Sequence, residues 1–330
     1  MSDLSSSPVS VSIIVPVYNE EEMLPAFHAM LCEVVQSLPY DFTILYINDG
    51  SKDRTSGVLD ELAAADERVQ VVELSRNFGH QAALTAGLDR AEGDLVITMD
   101  CDGQHPPSLI PEMISLAKLG YDIVITQRQE PQSLSLLKRL SSNLFYRLIN
   151  WIGDTHILPG SADFRLMSRT AVLALRSMRE YNRFLRGMVA WMGFRSVILP
   201  YQQPPRLAGA SKYSARKMFR LAANAIFSFS LVPLYISLTL GGIFLVLALV
   251  QALWVFSLWL RGARDQLVPG WSSLMFVLLI VGGTLMISIG LAGIYIGYIF
   301  QEIKGRPVYL VRQEIKKAAP KNEMKKDQHG

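Results

Sequence analysis

The sequence predicts an α/β domain with a mostly parallel, doubly wound sheet, followed by two transmembrane helices. Two observations support this fold class. From residue 9 to about 126, short runs of β-branched residues alternate with amphipathic stretches of helical periodicity, which is the order of elements found in parallel sheets. Beyond Phe229 lie two apolar stretches, each longer than the ~20 residues that a helix needs to cross a bilayer.

The alternation can be followed element by element along the chain. A first strand over residues 9–17 is followed by an amphipathic helix that reaches about Ser37. Further strands are predicted over 42–48, 69–74, 94–99 and 121–126, with helices over 53–65 and 79–91 between them. Strands that alternate with helices in this way are expected to lie parallel to one another.

Polar residues follow three of these strands. The clusters are Tyr18-Asn19-Glu20, Asn48-Asp49 and Asp100-Cys101-Asp102. Doubly wound sheets bind ligands beyond the carboxyl ends of their strands, so we expect the three clusters to form one site. Asp100, Asp102 and Gln104 offer two carboxylates and an amide oxygen, which suit Mg²⁺ or Mn²⁺ bridging a diphosphate. The alternative for an Asp-x-Asp pair is a polar turn after a strand.

Composition limits the classes of function. The net charge of +3 argues against a nucleic-acid partner, and the basic residues cluster beside the apolar region and in the tail. Cys32 and Cys101 stand in unrelated segments without metal-ligand spacing, so neither a disulfide scaffold nor a zinc site is predicted. Residues 1–10 lack the pattern of a signal peptide, so the globular part is expected in the cytosol.

Charge also predicts the orientation of the chain in the cell (inner) membrane. Lys and Arg are frequent on both sides of the apolar region, whereas the connection between the spans is short. The positive-inside rule therefore places the globular domain and both termini in the cytoplasm. The predicted parts are a domain over 1–210, a basic juxtamembrane helix over 211–228, spans over 229–260 and 271–300, an external loop over 261–270 and a basic tail over 301–330. The tail after Leu310 is expected to be mobile.

The segment 134–152 within the globular domain allows two interpretations. Leucines recur on one of its faces, and basic residues stand among its polar positions. It is either an amphipathic helix at the membrane interface or a surface helix that packs its leucines on the core. The nearby transmembrane spans favour the first interpretation.

Four segments resemble a known enzyme family. They are Val15-Pro16-Val17-Tyr18-Asn19-Glu20, Asn48-Asp49-Gly50-Ser51, Leu74-Ser75-Arg76-Asn77-Phe78-Gly79 and Asp100-Cys101-Asp102-Gly103-Gln104-His105-Pro106-Pro107. These segments resemble family 2 glycosyltransferases of the polyprenyl-phosphate branch, which includes dolichol-phosphate mannose synthase and bactoprenol glucosyltransferases. The resemblance runs in register from about residue 10 to 304 and implies a nucleotide-sugar transferase domain of the GT-A type over 1–210.

The resemblance implies roles for individual residues. The nucleotide-sugar would be bound by Pro16, Tyr18, Glu20, Asp49, Arg76 and Asp100, and the metal by Asp100, Asp102 and Gln104. The donor diphosphate and the acceptor phosphate would be bound by Arg128, Arg206, Ser211 and Lys212. Cations at these positions offset the repulsion between two anionic substrates. Lys212 also fits a juxtamembrane patch that holds anionic lipid.

Asp163, in the segment 160–166, resembles the family aspartate near the reacting centre, where Asp102 would also act. An acceptor phosphate has a second pKa of about 6 and needs little help to lose its proton. Asp163 therefore acts as a base for the remaining protonated fraction, or it orients a basic side chain or a sugar hydroxyl. A third interpretation is a carboxylate at the start of a helix. His105 is read as a turn residue in preference to a metal ligand, and His80 as a surface or nucleotide-side residue.

The implied reaction is direct displacement at the anomeric carbon by the lipid phosphate, with inversion. By resemblance the donor is UDP-glucose and the acceptor undecaprenyl phosphate, for modification of a cell-envelope glycan; alternative donors are GDP-mannose, UDP-GlcNAc and UDP-amino-arabinose. A processive polysaccharide synthase shares the fold, but its Gln-x-x-Arg-Trp segment is not visible. An alternative from another class of protein is a membrane transporter or a nucleotide sensor. The two spans contain no charged residue that could form a polar pathway for transport, which argues against a transporter.

Further partners are implied as well. The active site must be brought to the bilayer surface because a polyprenyl chain leaves the bilayer only at high cost. A homo-oligomer, with four subunits as the best guess, is suggested by the family and by Gly293 and Gly297, whose spacing permits close helix packing. Moving the product across the membrane would need a separate flippase.

Overall fold

A computed structural model describes residues 9–129, 161–181, 183–202, 204, 232–261 and 270–315. They divide into two compact units, one formed by the described residues between 9 and 204 with 307–315, the other by those between 232 and 306. Several predictions lie outside the described residues: the segments 134–152 and 211–228, most of the loop 261–270, the tail beyond 315, and Arg206, Ser211 and Lys212.

The first unit contains a sheet and helices in alternation. Its strands are β1 (Ser10–Val17), β2 (Asp41–Asn48), β3 (Val69–Leu74), β4 (Leu95–Thr98), β5 (Ile123–Arg128), β6 (Ser161–Ser168), β7 (Ser196–Tyr201) and β8 (Val311–Ile315). Its helices are α1 (Leu24–Gln36), α2 (Thr55–Ala65), α3 (His80–Arg90), α4 (Ile110–Lys118), α5 (Arg169–Ser177) and α6 (Leu185–Trp191), with a 3₁₀ turn at Pro107–Leu109. The predicted strands up to β5 are confirmed to within two residues.

The strands form one mixed sheet in the order β7-β5-β6-β4-β1-β2-β3-β8. β1 lies between β2 and β4 and is parallel to both, and β3 extends this parallel block. β6 runs antiparallel between β4 and β5, and β8 runs antiparallel along β3. The prediction of a mostly parallel, doubly wound sheet is therefore correct for β1 to β5 and for β7, and wrong for β6 and β8, which run antiparallel to their neighbours. Hydrophobic periodicity identifies a strand but not its direction.

The core of this unit lies on both faces of β1. All residues of β1 from Val11 to Val17 are buried, as expected for a strand covered on both faces. Phe27 and Leu31 of α1 pack into the same core cluster as β1 and β2. Helix α3 contacts β1 and β2 as well. This packing holds the carboxyl ends of β1, β2 and β4 in fixed positions.

The segment after Leu310, which was expected to be mobile, forms strand β8. Its residues pair with β3 from Val71↔Ile315 to Leu74↔Val311. Tyr309, just before β8, donates its hydroxyl to Asp89 at 2.9 Å and accepts from Arg90 at 2.9 Å. The strand is polar on its exposed positions and is held through backbone hydrogen bonds, which hydropathy does not detect.

The second unit contains two long helices, α7 (Val232–Leu260) and α8 (Trp271–Ile303), which contact each other. Many of their large apolar side chains are exposed, such as Leu238 and Met286 at 72% and 71%. Among the described residues, one stretch, Ile280–Ile303, is long and apolar enough to cross a membrane, and Leu234–Phe244 is a shorter apolar stretch. The two predicted spans coincide with the two helices, while their number in a membrane stays a prediction.

Gly50 lies where the loop after β2 meets the loop after β3. Its φ is +64°, and a Cβ added there would lie 2.5 Å from the carbonyl carbon of Arg76. We expect Gly50→Ala to destabilise the protein by about 2 kcal/mol or more, because both the backbone conformation and the space exclude a side chain.

Gly57→Ala is the matched control, since nothing lies within 4 Å of its Cβ position in α2. It should stabilise by roughly 0.5–1 kcal/mol. Thermal unfolding of the purified variants measures both, and equal Tm shifts would contradict the prediction.

Candidate functional site

The candidate site lies at the carboxyl edge of β4, beside the amino-terminal end of β6. Thr98 of β4 pairs with Arg165 of β6, and continuing this antiparallel register by two residues brings Asp100 level with Asp163. An antiparallel strand begins at the edge where its parallel neighbours end. The direction of β6 is therefore what brings Asp163 to the Asp-x-Asp segment. Because Asp163 lies within a strand, the interpretation as a helix-start carboxylate is wrong.

Asp163 is buried among basic side chains. Arg165 donates to its Oδ1 at 2.8 Å, and Arg186 donates from Nε to Oδ1 at 3.0 Å and from Nη2 to Oδ2 at 2.9 Å. Burial alone raises the pKa of Asp163, but Arg186, His80 and Arg165 outweigh it and hold the pKa well below its usual range. The carboxylate is ionised and both of its oxygens are engaged. This arrangement fits an orienting role better than that of a proton acceptor.

His80, the first residue of α3, lies between the two carboxylates. Its Nε2 is 3.5 Å from Asp163 Oδ2 and 3.6 Å from Asp100 Oδ1. Desolvation lowers the pKa of His80, but Asp100 and Asp163 raise it further, to about 9. The side chain is 40% exposed, so a positive charge faces the open side of the site. His80 is exposed, as predicted for a surface residue, and its position beside a bound nucleotide stays a prediction.

The Asp-x-Asp segment alternates between the core and the site. Cys101 is buried, with its Sγ 3.9 Å from the carbonyl oxygen of Pro16, while Asp100 and Asp102 on either side are half-buried. Asp102 Oδ1 accepts the backbone N–H of Gln104 at 3.0 Å, across Gly103, whose φ is +77°. Two carboxylates on one turn are hard oxygen ligands of the kind that Mg²⁺ and Mn²⁺ require, so the residues fit such an ion. Gln104 is buried, and its role as a ligand stays a prediction.

His105 is a structural residue of this turn. It is fully buried and stacks on Phe164 with 5.2 Å between the ring centroids. Its Nδ1 accepts the backbone N–H of Asp100 at 2.8 Å. Burial lowers the pKa of His105, which agrees with a neutral ring that accepts at Nδ1. The side chain thereby fixes the backbone of Asp100, as expected of a turn residue.

On the opposite side of β1, Asp49 holds the loop that follows β3. Its two carboxylate oxygens accept the backbone N–H groups of Phe78 at 2.7 Å and Gly79 at 2.9 Å. Arg76 of the same loop lies over the ring of Phe78 at 4.1 Å and is exposed. Burial raises the pKa of Asp49 above its usual value, and the hydrogen bonds from the two N–H groups offset only part of this rise. Asp49 therefore shapes the loop that carries Arg76, in addition to any contact with a nucleotide.

The loop after β1 is tied to the loop after β2. Asn19 has a φ of 52°, its Oδ1 accepts from Lys52 N at 2.8 Å, and its own N–H donates to Ser51 Oγ at 3.0 Å. Glu20 donates its backbone N–H to Thr55 Oγ1 at 3.0 Å. Pro16 is buried in β1, and Tyr18 is half-buried just beyond it. Pro16, Tyr18 and Glu20, which were predicted to bind the nucleotide, thus lie at the end of β1 and in a loop that hydrogen bonds hold against the segment after β2.

Arg128 ends β5 at the same edge of the sheet and pairs in register with Tyr201 of β7. Its Nη2 is 3.5 Å from His105 Nε2. Within the described residues, the Nε of Arg128 and the hydroxyl of Tyr201 are buried without a hydrogen-bond partner. Buried polar atoms of this kind normally bind something, and an anionic group at this edge would satisfy them.

The structure thus brings together most of the predicted residues that it describes. Asp100, Asp102, Asp163 and Arg128 lie at one edge, and Asp49, Arg76 and Glu20 lie on the loops beside them. Sequence reasoning missed Arg165 and Arg186 as partners of Asp163. Arg165 follows Asp163 by two residues in a strand, a spacing that puts both side chains on one face. For Arg186 no local signal exists, because it lies on a separate helix.

The chain is similar in sequence to known glycosyltransferases. The chain matches the family model described as glycosyl transferase family 2 over residues 12–176. An uncharacterized glycosyltransferase from Synechocystis is 39% identical over 303 residues, which are 92% of this chain and 95% of the relative. A bactoprenol glucosyl transferase from Shigella phage SfV is 37% identical over 309 residues, which are 94% of this chain and 100% of the relative.

Among solved structures, the mannosyl-3-phosphoglycerate synthase from Rubrobacter xylanophilus is similar to this chain. The identity is 17% and the TM-score 0.44, over 66% of this chain and 72% of that chain.

The residues matched by the family model include Asp49, Asp100, Asp102 and Asp163 and end before Arg186.

Proposed function

Because this chain belongs to glycosyl transferase family 2, we propose that it transfers one sugar from a nucleotide-sugar to a polyprenyl phosphate at the membrane surface. The observation that carries this proposal is the position of Asp100, Asp102 and Asp163 at one edge of the sheet, where His80 lies beside Asp100 and Asp163 and Arg186 pairs with Asp163. The glycosyltransferase from Synechocystis supports sugar transfer, and the bactoprenol glucosyl transferase of phage SfV supports the polyprenyl acceptor.

The charges at this edge suit two anionic substrates. Asp100 and Asp102, with Gln104, would hold Mg²⁺ or Mn²⁺, which when bound supplies positive charge to the diphosphate leaving group. Arg186, His80 and Arg128 supply further positive charge around the same edge. A phosphate acceptor approaches a diphosphate donor only where cations offset the repulsion between them. Arg206, Ser211 and Lys212 complete this set in the proposal.

We further propose a single displacement with inversion. An oxygen of the acceptor phosphate attacks the anomeric carbon, the bond from that carbon to the diphosphate oxygen breaks, and the nucleoside diphosphate leaves with the electron pair. Asp163 keeps Arg186 in position and does not need to remove a proton, because a phosphate with a second pKa of about 6 is largely ionised at neutral pH. Both Asp163 oxygens are engaged, which argues against a covalent intermediate on this residue.

The two long helices are proposed to anchor the enzyme. Exposure of so many large apolar side chains to water is unfavourable, whereas the acyl chains of a bilayer would cover them. In this proposal α7 and α8 both cross the inner membrane, and the catalytic unit and both termini lie in the cytoplasm. A tetramer that packs through Gly293 and Gly297, and a separate flippase for the product, remain predictions.

Glucose is the sugar that we propose, with UDP-glucose as donor and undecaprenyl phosphate as acceptor. The bactoprenol glucosyl transferase of phage SfV, aligned over its whole length, supports this choice. UDP-GlcNAc, GDP-mannose and UDP-amino-arabinose are the competing donors.

The first experiment measures the transfer of radiolabel from each donor into organic-extractable lipid. The purified full chain is incubated with undecaprenyl phosphate, with Mg²⁺, with Mn²⁺ or with EDTA. We expect label from UDP-glucose in the lipid, lost in EDTA, and a β-linked product. Label in a polymer would favour a processive synthase, and nucleotide binding without any transfer would favour a sensor. Either result would overturn the proposed reaction.

A further inference from the structure

A second cluster of metal-ligating side chains lies outside the transfer site. Among the residues that the structure describes, one group of three His, Cys, Asp or Glu side chains has all its ligand atoms within 4.8 Å of one another. It consists of His28, Cys32 and Asp66. His28 and Cys32 are four residues apart on α1, so both side chains project from one face of the helix. Asp66 is the C-cap residue that directly follows α2. The sequence did not indicate the cluster because its third member is distant.

The three ligand atoms form a nearly equilateral triangle. Cys32 Sγ is 3.4 Å from His28 Nε2 and 3.5 Å from Asp66 Oδ2, and His28 Nε2 is 3.6 Å from Asp66 Oδ2. Zinc binds nitrogen and carboxylate oxygen at about 2.0 Å and thiolate sulfur at about 2.3 Å, in tetrahedral geometry. These bond lengths imply ligand separations of roughly 3.3–3.6 Å. The three observed separations therefore match those between three corners of a zinc tetrahedron.

The surroundings hold the histidine in a suitable orientation. His28 Nδ1 lies 3.0 Å from the hydroxyl of Tyr46, and both side chains are buried. Metal-binding histidines commonly have their second ring nitrogen held by such a partner. The cluster lies where α2 leads into β3, at the amino-terminal edge of the parallel strands. It is thus at the opposite edge of the sheet from Asp100 and Asp163 and is a site of its own.

Arg68 competes with a cation at this position. Its guanidinium donates from Nε to Asp66 Oδ1 at 2.9 Å and from Nη2 to Oδ2 at 2.7 Å, and its Nη2 lies 3.4 Å from Cys32 Sγ. The arginine therefore supplies positive charge to the ligands that a metal would use. Bound zinc would take over Asp66 Oδ2 and leave Oδ1 for Arg68.

We propose that His28, Cys32 and Asp66 bind one Zn²⁺ ion, with a solvent molecule as the fourth ligand. Binding forms bonds from zinc to His28 Nε2, Cys32 Sγ and Asp66 Oδ2, and the thiol proton of Cys32 passes to solvent. The ion joins α1 to the connection between α2 and β3. Its role is to hold these elements together, and it takes no part in the transfer reaction.

The test uses Co²⁺ as a spectroscopic probe on the purified full chain in detergent. Thiolate ligation produces a sulfur-to-cobalt charge-transfer band, whereas oxygen ligands such as Asp100 and Asp102 do not. The chain has two cysteines, so a band arises from Cys32 or from Cys101. We expect one thiolate-bound Co²⁺ per chain, displaced by Zn²⁺, and loss of the band in Cys32→Ser and His28→Gln.

Arg68→Gln provides the second measurement. Removing a positive charge beside the site should lower the Kd for Co²⁺ about tenfold, since like charges repel strongly near a partly buried site. Arg179→Gln, on the exposed face of the same unit, should leave the Kd unchanged. The proposal is overturned if the folded wild-type chain shows no thiolate band, if the band survives in Cys32→Ser, or if Arg68→Gln fails to tighten binding. Thermal unfolding confirms that each variant is folded.

Discussion

Replacing Asp102 with asparagine should lower the rate of sugar transfer about 1000-fold while leaving the protein folded. Asp102 is half-buried on the turn after β4, and its Oδ1 accepts the backbone N–H of Gln104 at 3.0 Å. Asparagine keeps that acceptor but removes the negative charge that a divalent ion at this site needs. The loss should appear in kcat and in the Mn²⁺ concentration that gives half-maximal activity.

Asp41→Asn is the matched control for this substitution. Asp41 is exposed at the start of β2, at the opposite edge of the sheet. The same chemical change there should leave both the rate and the metal requirement unaltered. If Asp102→Asn transferred sugar at a rate within tenfold or so of the wild type, the Asp-x-Asp segment would be a polar turn and the metal assignment would be wrong.

Asp163→Asn and Arg186→Ala should each lower kcat about 100-fold, and the double variant should be hardly worse than either alone. The reason is that Arg186 donates two hydrogen bonds to the Asp163 carboxylate, at 3.0 and 2.9 Å, so the two side chains act as one unit. Without Asp163 the guanidinium loses its position, and without Arg186 the carboxylate has nothing to orient but Arg165 and His80. A double-mutant cycle on single-turnover rates measures this coupling.

The same cycle separates the orienting role of Asp163 from that of a base. The pKa of Asp163 is held well below its usual range, so the wild-type rate should show no ionisation of this residue between about pH 5 and 9. Because the folded pKa is depressed, the stabilisation that Asp163 provides is present above its unfolded pKa and is lost as pH falls through the folded value. If Asp163 were instead a base for the protonated acceptor, the losses in the double variant should multiply. The loss in Asp163→Asn alone should then be largest below about pH 6, where the phosphate is protonated, and should shrink as pH rises.

Arg179→Ala serves as the control for removal of an arginine. Its Nη1 pairs with Asp89 at 3.2 Å, but its side chain is 67% exposed and lies away from the site. Such surface pairs contribute about 0–1 kcal/mol to stability, so neither the rate nor Tm should change appreciably. A comparable loss in this variant would mean that the effect of Arg186→Ala is not specific to the site.

The residues that follow β1, β2 and β4 could be predicted as a site because parallel strands end at one edge. The role of Asp163 could not be decided in the same way. Asp163 and Arg186 are 23 residues apart on different elements, so no strand or helix periodicity relates them. Their contact depends on where the fold places α6 relative to β6. Asp49 shows the same limit, since its carboxylate binds backbone N–H groups of a loop that follows a different strand.

By itself the sequence determined the alternation of strands and helices, the two apolar helices and the Asp-x-Asp segment. These features depend on local hydropathy, side-chain periodicity and neighbouring residues, which a sequence records directly. Only the tertiary structure decided the direction of β6, the pairing of β8 with β3, the contact of Asp163 with Arg186 and the meeting of Cys32 with Asp66. Each of these is a contact between residues far apart in the chain, formed because packing of the whole sheet brings their elements together, and no local pattern encodes it.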